Sequence, residues 1–280
     1  MSMESKHDTH QKVGARFWSD IAEDYERDQY RAVSGYPSLW VRHRYNLDMF
    51  DADGKNVLDI GCGPGEMLVE LLDRGCTVSG TDISGAMIEL ARKNTSQHPH
   101  VNRLDLRVGD IEAMSYPSAT FDGVICAGVI EYVEDDTRAL AELNRVLKPG
   151  GTLIISVRNK ACPARAIDLL GDPVKNSRRG AALLSSVKRA ITGNPNTTIL
   201  YTPYRKHFPW RFHRSLRHAG FEKVDFRYYH FYPFFVPFDK VMPRIFVRAG
   251  LAMERLSRTR LGWLASGYIV KARKTGEPSY

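Results

Sequence analysis

Cysteine is scarce in this sequence, and long apolar runs are absent from it. The four cysteines among 280 residues form no CxxC pair, which argues against a zinc site and against a disulfide framework. No run of about 18 apolar residues occurs, so we expect no transmembrane helix. The polar N-terminus lacks the apolar stretch of a signal peptide, so we predict a cytoplasmic location. The cysteines are Cys62, Cys76, Cys126 and Cys162.

Charge is distributed unevenly along the chain, whose net charge is +8. Residues 159–274 hold 23 Lys and Arg against 6 Asp and Glu, and the rest holds 17 against 26. The acidic part is typical of a catalytic or cofactor domain. The basic part predicts an anionic partner, such as a membrane surface, a phosphorylated substrate or nucleic acid. A solvated basic face explains the same count equally well.

Short apolar runs alternate with helical patterns from residue 56 onward. The predicted strands are 56–60, 77–81, 104–108, 121–127, 152–157, 221–229 and 268–272. The predicted helices are 11–31, 38–50, 66–73, 84–94, 135–147 and 207–218. This alternation predicts βαβ units and a doubly wound α/β fold with a parallel sheet. Ligands of such sheets bind at the carboxyl ends of the strands.

Three regions follow from these patterns. Residues 1–50 are predicted to form an N-terminal helical cap, whose helix 11–31 we expect to close as a lid through Phe17 and Tyr25. An ordinary packed helix is the alternative. Residues 51–158 form the core, and residues 159–280 add basic and aromatic insertions together with the final helix and strands of the same fold.

A glycine-rich turn follows the first predicted strand, in the segment VLDIGCGPG that ends at Gly65. Glycines let the backbone turn tightly and approach a ligand closely, and the helix that follows offers free N–H groups. The spacing is GxGxG with Asp59 two positions before the first glycine, which differs from the dinucleotide pattern GxGxxG. A carboxylate at this position suits a ligand with a cationic amino group better than a pyrophosphate.

In this segment the chain resembles the class I S-adenosylmethionine-dependent methyltransferases, in particular the ubiquinone-methyltransferase-like members. The match runs in order through residues 55–158 and includes GTDIS, GDI, FDGVICA and LKPGG. The resemblance implies a Rossmann-like sheet of seven strands, mostly parallel with an antiparallel last strand, plus an N-terminal helical lid and helical insertions. It also implies S-adenosylmethionine as cofactor and S-adenosylhomocysteine as product.

The resemblance also implies a role for individual residues. The glycine turn would hold the methionine part of the cofactor, Asp82 would accept hydrogen bonds from both ribose hydroxyls, and Asp110 would accept one from the adenine amino group. The implied cofactor residues are Asp59, Gly61, Cys62, Gly63, Gly65, Asp82, Ile83, Met87, Asp110, Ile111 and Ala127, with Tyr25 from the lid.

Candidate catalytic residues follow the fourth strand. Many members of the family carry Glu-His-Val there, and this chain has Glu131 and Tyr132 followed by Val133. Tyr132 therefore replaces the histidine that is often suspected as a base, which leaves Glu131 as a candidate base or metal contact. His207 is the histidine that we would test first as a substitute base. We predict no metal site.

The C-terminal region is expected to set the methyl acceptor. Aromatic residues crowd residues 228–238, and residues 243–256 carry an apolar stripe flanked by arginines, a pattern typical of an interfacial helix. We therefore predict a small lipophilic acceptor, with O-methylation favoured over C- or N-methylation, and peripheral contact with an anionic membrane. Core packing of the same aromatics is the alternative. RNA methylation and NAD-dependent oxidation are rival functions, and nucleic acid ranks below the small molecule because no RNA-binding module is recognisable.

Overall fold

The computed structural model describes residues 14–25, 38–51, 53–163, 204–233 and 243–279, and a few positions between 177 and 190. The helices are α1 (Ala22–Tyr25), α2 (Ser38–Met49), α3 (Glu66–Asp73), α4 (Gly85–Thr95), α5 (Asp136–Val146), α6 (Pro209–His218) and α7 (Pro243–Met253). The strands are β1 (Asn56–Ile60), β2 (Thr77–Asp82), β3 (Leu104–Val108), β4 (Phe121–Ala127), β5 (Leu147–Arg158), β6 (Phe221–Phe231) and β7 (Ala265–Lys274).

The seven strands form one sheet in the order β3-β2-β1-β4-β5-β7-β6. Strands β1 to β5 pair in parallel, and β7 runs antiparallel to both of its neighbours, β5 and β6. The predicted α/β fold with an antiparallel last strand is therefore confirmed. The strand order reverses between β1 and β4, and this reversal opens a crevice at the carboxyl ends of the strands.

Helices cover both faces of the sheet, because strand side chains alternate between them. On β1, Leu58 and Ile60 belong to a core with side chains of α5 and α6, whereas Val57 belongs to a second core with side chains of α2, α3 and α4. The two cores fix the strand ends as a rigid edge on which a site can be built.

The strands β5 and β7 extend well beyond their predicted bounds, whereas β2 and β6 extend by only one and two residues. β5 begins at Leu147, which pairs with Phe121, and the register shifts before Gly123 pairs with Thr152. The helix before β5 therefore ends at Val146. β7 extends from Ala265 to Lys274 because it lies between two strands and pairs with both along its length. Pairing partners of this kind are distant in sequence and leave no local pattern.

The N-terminal helix is interrupted. Residues 14–20 are helical, a turn follows at Ile21, and α1 is a single further turn, whereas one helix over 11–31 was predicted. The predicted positions 26–31 lie outside the described residues, as do the aromatics Phe234, Phe235 and Phe238. Ser84 is the N-cap of α4, since its hydroxyl accepts from the Met87 N–H at 3.2 Å.

Candidate functional site

The glycine turn after β1 is shaped by contacts that only glycine allows. Gly61 has a φ of +68°, and a Cβ there would lie 2.2 Å from Cγ2 of Val129. Gly63 has a φ of +53°, but a Cβ there would meet no protein atom within 4 Å. The backbone therefore packs on protein at Gly61 and borders open space at Gly63, as expected where a ligand approaches the chain.

Asp82 ends β2 and ties the glycine turn to the next helix. Its carboxylate accepts from the Ser84 N–H at 2.9 Å and from the Gly63 N–H at 3.1 Å. Burial raises the pKa of this carboxyl, and the backbone N–H donors oppose the rise. These bonds fix the carboxylate at the crevice, where it can accept hydroxyl donors from a ligand.

The crevice holds a cavity of about 330 Å³ between the strand ends and the N-terminal segment, residues 14–25. Most of the sequence-predicted site residues line it together. They are Tyr25, Gly61, Cys62, Gly63, Asp82, Ile83, Met87, Asp110, Ile111, Ala127, Glu131 and Tyr132. Asp59, Gly65 and His207 do not belong to its lining. This first cavity is therefore polar at the strand ends and apolar where Ile83, Met87 and Ile111 face it.

Asp59 is buried behind the turn, with 3% of its surface exposed. Burial raises its pKa to about 8, with the Asp82 carboxylate adding to the rise and the Arg42 guanidinium opposing it. A cation bound nearby would lower this pKa again, so the site favours a positively charged ligand. Gly65 serves packing instead, because a Cβ there would lie 3.2 Å from Cα of Ala91 on α4.

The loop after β3 forms part of the cavity wall and is held by Glu112, a residue that was not predicted from the sequence. Asp110 accepts from the Glu112 N–H at 2.9 Å in a tight turn. Glu112 is buried, lines the first cavity, and accepts from the backbone N–H groups of Glu134 and Asp135 at 3.2 and 3.0 Å. Glu112 thereby joins the loop after β3 to the segment that precedes α5.

Glu131 and Tyr132 lie at the far end of the first cavity with Arg158. Glu131 is 4% exposed, its Oε1 lies 3.6 Å from Nε of Arg158, and its Oε2 has no hydrogen-bond partner within the described chain. Arg158 also donates to the Tyr132 hydroxyl at 3.4 Å. Burial raises the pKa of Tyr132, so this hydroxyl keeps its proton and can donate a hydrogen bond.

The N-terminal segment closes one side of this end. The Trp18 ring meets the Tyr132 ring edge to face at 5.3 Å, and it meets the Tyr25 ring in the same way at 5.6 Å. The Ser19 hydroxyl lies 2.9 Å from the Ser84 hydroxyl. The segment thus contacts Ser84 near one end of the cavity and Tyr132 at the other, and its role as a lid stays a prediction.

His207 is placed differently from the prediction. It lines neither cavity of the site, and its Nε2 lies 2.9 Å from Oδ2 of Asp136, the first residue of α5. Its backbone pairs with that of Asn159. The geometry gives His207 a structural role beside β5 and does not support it as the base.

Two arginines at the site were missed by the sequence reasoning. Arg158 ends β5, so the rule that ligands bind at strand ends could have identified it. Arg42 lies within α2 and no local pattern marks it. Both arginines line the first cavity and a second cavity of about 150 Å³ that adjoins it. Within the described ranges, no three His, Cys, Asp or Glu side chains are grouped so as to hold a metal ion.

Comparison with known sequences agrees with this geometry. Residues 58–155 match the family described as "Methyltransferase domain". A ubiquinone biosynthesis O-methyltransferase from Coxiella burnetii is 30% identical over 154 residues, which are 55% of this chain and 65% of that protein. A ubiquinone/menaquinone biosynthesis C-methyltransferase from Geobacter sulfurreducens is 31% identical over 49% of this chain and 55% of its own length. The chain thus spans less than two thirds of these relatives.

Solved structures share the fold over most of the chain. Magnesium protoporphyrin IX methyltransferase from Synechocystis superposes with a TM-score of 0.59 at 17% identity, over 94% of this chain and 99% of that one. The [4+2]-cyclase SpnF gives a TM-score of 0.58 at 18% identity, over 96% of each chain. Since proteins of such different names share it, the fold alone does not fix the chemistry.

Proposed function

We propose that this chain is a class I S-adenosylmethionine-dependent methyltransferase that transfers a methyl group to a small acceptor. The match of residues 58–155 to the family described as "Methyltransferase domain" supports this proposal. The observation that carries the proposal is the first cavity, which joins the motif residues at the strand ends to Glu131 in one space. A cofactor bound at one end and a nucleophile held at the other would share that cavity.

The residues present fit S-adenosylmethionine. Gly63 leaves open space beside the backbone, and Asp82 offers a fixed carboxylate for the two ribose hydroxyls. Ile83 and Met87 offer apolar surface for the adenine ring. Asp59 supplies a carboxyl that favours a cationic group in its vicinity. When bound, the cofactor supplies a methyl group on a positively charged sulfur.

Glu131 is the group that we assign to take the proton from an oxygen nucleophile. Arg158 holds Oε1, while Oε2 is buried and has no hydrogen-bond partner among the described residues. A carboxylate held in this way can accept a hydroxyl proton as the nucleophile reacts, which supports O-methylation. Tyr132 and Arg158 would orient the acceptor, and Trp18 would help to exclude water from the reacting end.

Calorimetry and a labelled methyl-transfer assay test this proposal. We expect S-adenosylhomocysteine to bind and NAD not to bind, because no pyrophosphate-binding GxGxxG turn is present. With catechol as acceptor, Glu131→Gln should lower kcat about 100-fold or more with little change in S-adenosylhomocysteine affinity. Glu134→Gln, on an exposed neighbour outside the cavity, is the matched control. Failure of S-adenosylhomocysteine to bind, or equal kcat in both variants, would contradict the assignment.

We further propose that the acceptor is lipophilic and is taken up at an anionic membrane surface. The helix α7 exposes Ile245 and Leu251, 55% and 41% accessible, and it also exposes Arg244 and Arg248. Exposed apolar side chains flanked by arginines suit the interface of a bilayer with anionic head groups. Over the part of the chain that the structure describes, no helix is long and apolar enough to span a bilayer.

Sedimentation with phosphatidylglycerol vesicles at low salt tests the membrane contact. The wild type should sediment with these vesicles and not with phosphatidylcholine, because the arginines require anionic lipid. Ile245→Glu should abolish sedimentation. Val224→Glu serves as control, since Val224 is 52% exposed but lies on β6. Equal sedimentation of both variants would refute the role of α7.

A further inference from the structure

A second cavity of about 150 Å³ adjoins the first one on the side of β5, β6 and β7. The two cavities share a wall, which consists of Leu39, Arg42, Glu131 and Arg158. The remaining lining of the second cavity is Asn159, Lys206, Tyr229, His230, Ser266 and Gly267. None of these six belongs to the family match at residues 58–155, so the proposed cofactor site leaves this space unassigned.

The second cavity is positively charged. Arg42, Arg158 and Lys206 line it, and Glu131 is the one carboxylate among its lining residues. Glu131 faces Arg158 at 3.6 Å, and basic side chains outnumber acidic ones in this lining by three to one. An excess of this kind in a partly enclosed space attracts an anion.

The structure makes specific room for the Arg42 side chain. Gly128 has a φ of +81°, and a Cβ there would lie 2.2 Å from Nη1 of Arg42. On the other side, a Cβ at Gly267 would lie 2.2 Å from Cζ of Tyr229, so the buried Tyr229 ring rests on that glycine. Burial raises the pKa of the Tyr229 hydroxyl, and the charge and hydrogen bond of Arg42 oppose the rise. Arg42 is therefore held in place from two sides.

His230 adds a strained residue to the same lining. It has a φ of +63°, a conformation that residues other than glycine rarely adopt. Its N–H donates to Oε1 of Glu254 at 2.9 Å, and its ring stacks on Tyr232 at 4.7 Å. Strained backbone of this kind is concentrated at ligand sites, where surrounding contacts maintain it.

We infer that the second cavity binds a carboxylate group of the methyl acceptor, through Arg42, Arg158 and Lys206. This inference rests on the proposed methyl transfer. A planar carboxylate matches the forked donors of guanidinium groups. A carboxylate fits better than a phosphate, because the phosphate head is bulkier and the cavity measures about 150 Å³. Anchored in this way, the acceptor would present its nucleophilic oxygen at Glu131, which lines both cavities.

Calorimetry on the protein saturated with S-adenosylhomocysteine tests the inference with three aromatic probes: benzoate, benzamide and phenyl phosphate. Benzoate should bind, and the other two should bind at least about tenfold more weakly, benzamide because it loses a charge-assisted hydrogen bond and phenyl phosphate because its head is bulkier. Lys206→Gln should weaken benzoate about tenfold and leave S-adenosylhomocysteine affinity unchanged. Lys93→Gln, on the exposed side of α4, is the matched control.

The outcomes separate this inference from the proposed function. If S-adenosylhomocysteine binds but benzoate and benzamide bind equally, the anion site is refuted and the cofactor site stands. The same conclusion follows if Lys206→Gln and Lys93→Gln bind benzoate equally. If phenyl phosphate binds most tightly, the cavity binds anions but does not prefer a carboxylate, and the inference fails in its stated form. If S-adenosylhomocysteine does not bind, the proposed function fails, and titration of the protein alone with benzoate still tests the cavity.

Discussion

Replacement of Asp59 by asparagine should remove a pH dependence of cofactor binding. Without ligand, the buried Asp59 carboxyl has a pKa of about 8, so it is largely protonated at neutral pH. A ligand with a cationic amino group binds better when this carboxyl is ionised. Binding should therefore release a proton, and the affinity for S-adenosylhomocysteine should rise with pH.

The size of the effect follows from that pKa. The ionised fraction of Asp59 rises about tenfold between pH 6 and pH 7 and about fivefold between pH 7 and pH 8. If only the ionised form binds, the association constant should rise by the same factors. Asp59→Asn should show neither rise, because asparagine does not titrate in this range.

Calorimetry at pH 6, 7 and 8, in two buffers with different ionisation enthalpies, measures the affinity and the proton release together. Any pH dependence that remains in Asp59→Asn comes from titration of the ligand itself. The difference in pH dependence between the two proteins is therefore due to Asp59. Equal pH dependence in both proteins would refute the reasoning. Folding stability gives a second readout. The unfolded carboxyl ionises near pH 3.8 and the folded one near pH 8, so stability should fall as pH rises through this window, and Asp59→Asn should lessen the fall.

Three further substitutions test single contacts. Asp82→Asn should weaken S-adenosylhomocysteine binding about tenfold or more, since it removes a carboxylate acceptor, and unchanged calorimetric affinity would contradict this. Gly63 and Gly75 both have a positive φ and open space where a Cβ would lie. Replacement of either one by alanine should therefore lower the free energy of unfolding by about 1 kcal/mol in urea denaturation, but only Gly63→Ala should weaken S-adenosylhomocysteine binding. Gly220→Ala should lower the free energy of unfolding more than Gly75→Ala does, because its Cβ would lie 2.2 Å from the carbonyl oxygen of Gly276. Equal urea midpoints for the two variants would refute this clash.

Much of the fold follows from local pattern. The strands β1 and β4 are largely buried and rich in apolar residues, as expected for central parallel strands. Ser84 and Gly220 mark helix ends by their own chemistry. The early start of β5 and the full length of β7 depend on pairing with strands that are distant in sequence. Residues that pair only in three dimensions carry no periodic signal.

The site also contains some residues that local sequence predicts and others that depend on contacts between distant parts of the chain. Motif residues such as Gly63 and Asp82 could be predicted because strand ends meet at one edge of a parallel sheet. Arg42 could not, because its role depends on the glycine at position 128, which is far away in sequence. The expectation for His207 did not match the geometry, since residue type alone does not show that Asp136 engages its ring.

The wall shared by the two cavities has a consequence for inhibitor chemistry. Leu39, Arg42, Glu131 and Arg158 each border both spaces, so the two cavities are adjacent, and we expect that one molecule could be built to occupy both. A nucleoside tethered to a benzoate by a short linker would bring its second half to the protein at high effective concentration. Such a conjugate should show avidity well beyond that of either fragment, and the linker length that works best would measure the spacing of the two sites.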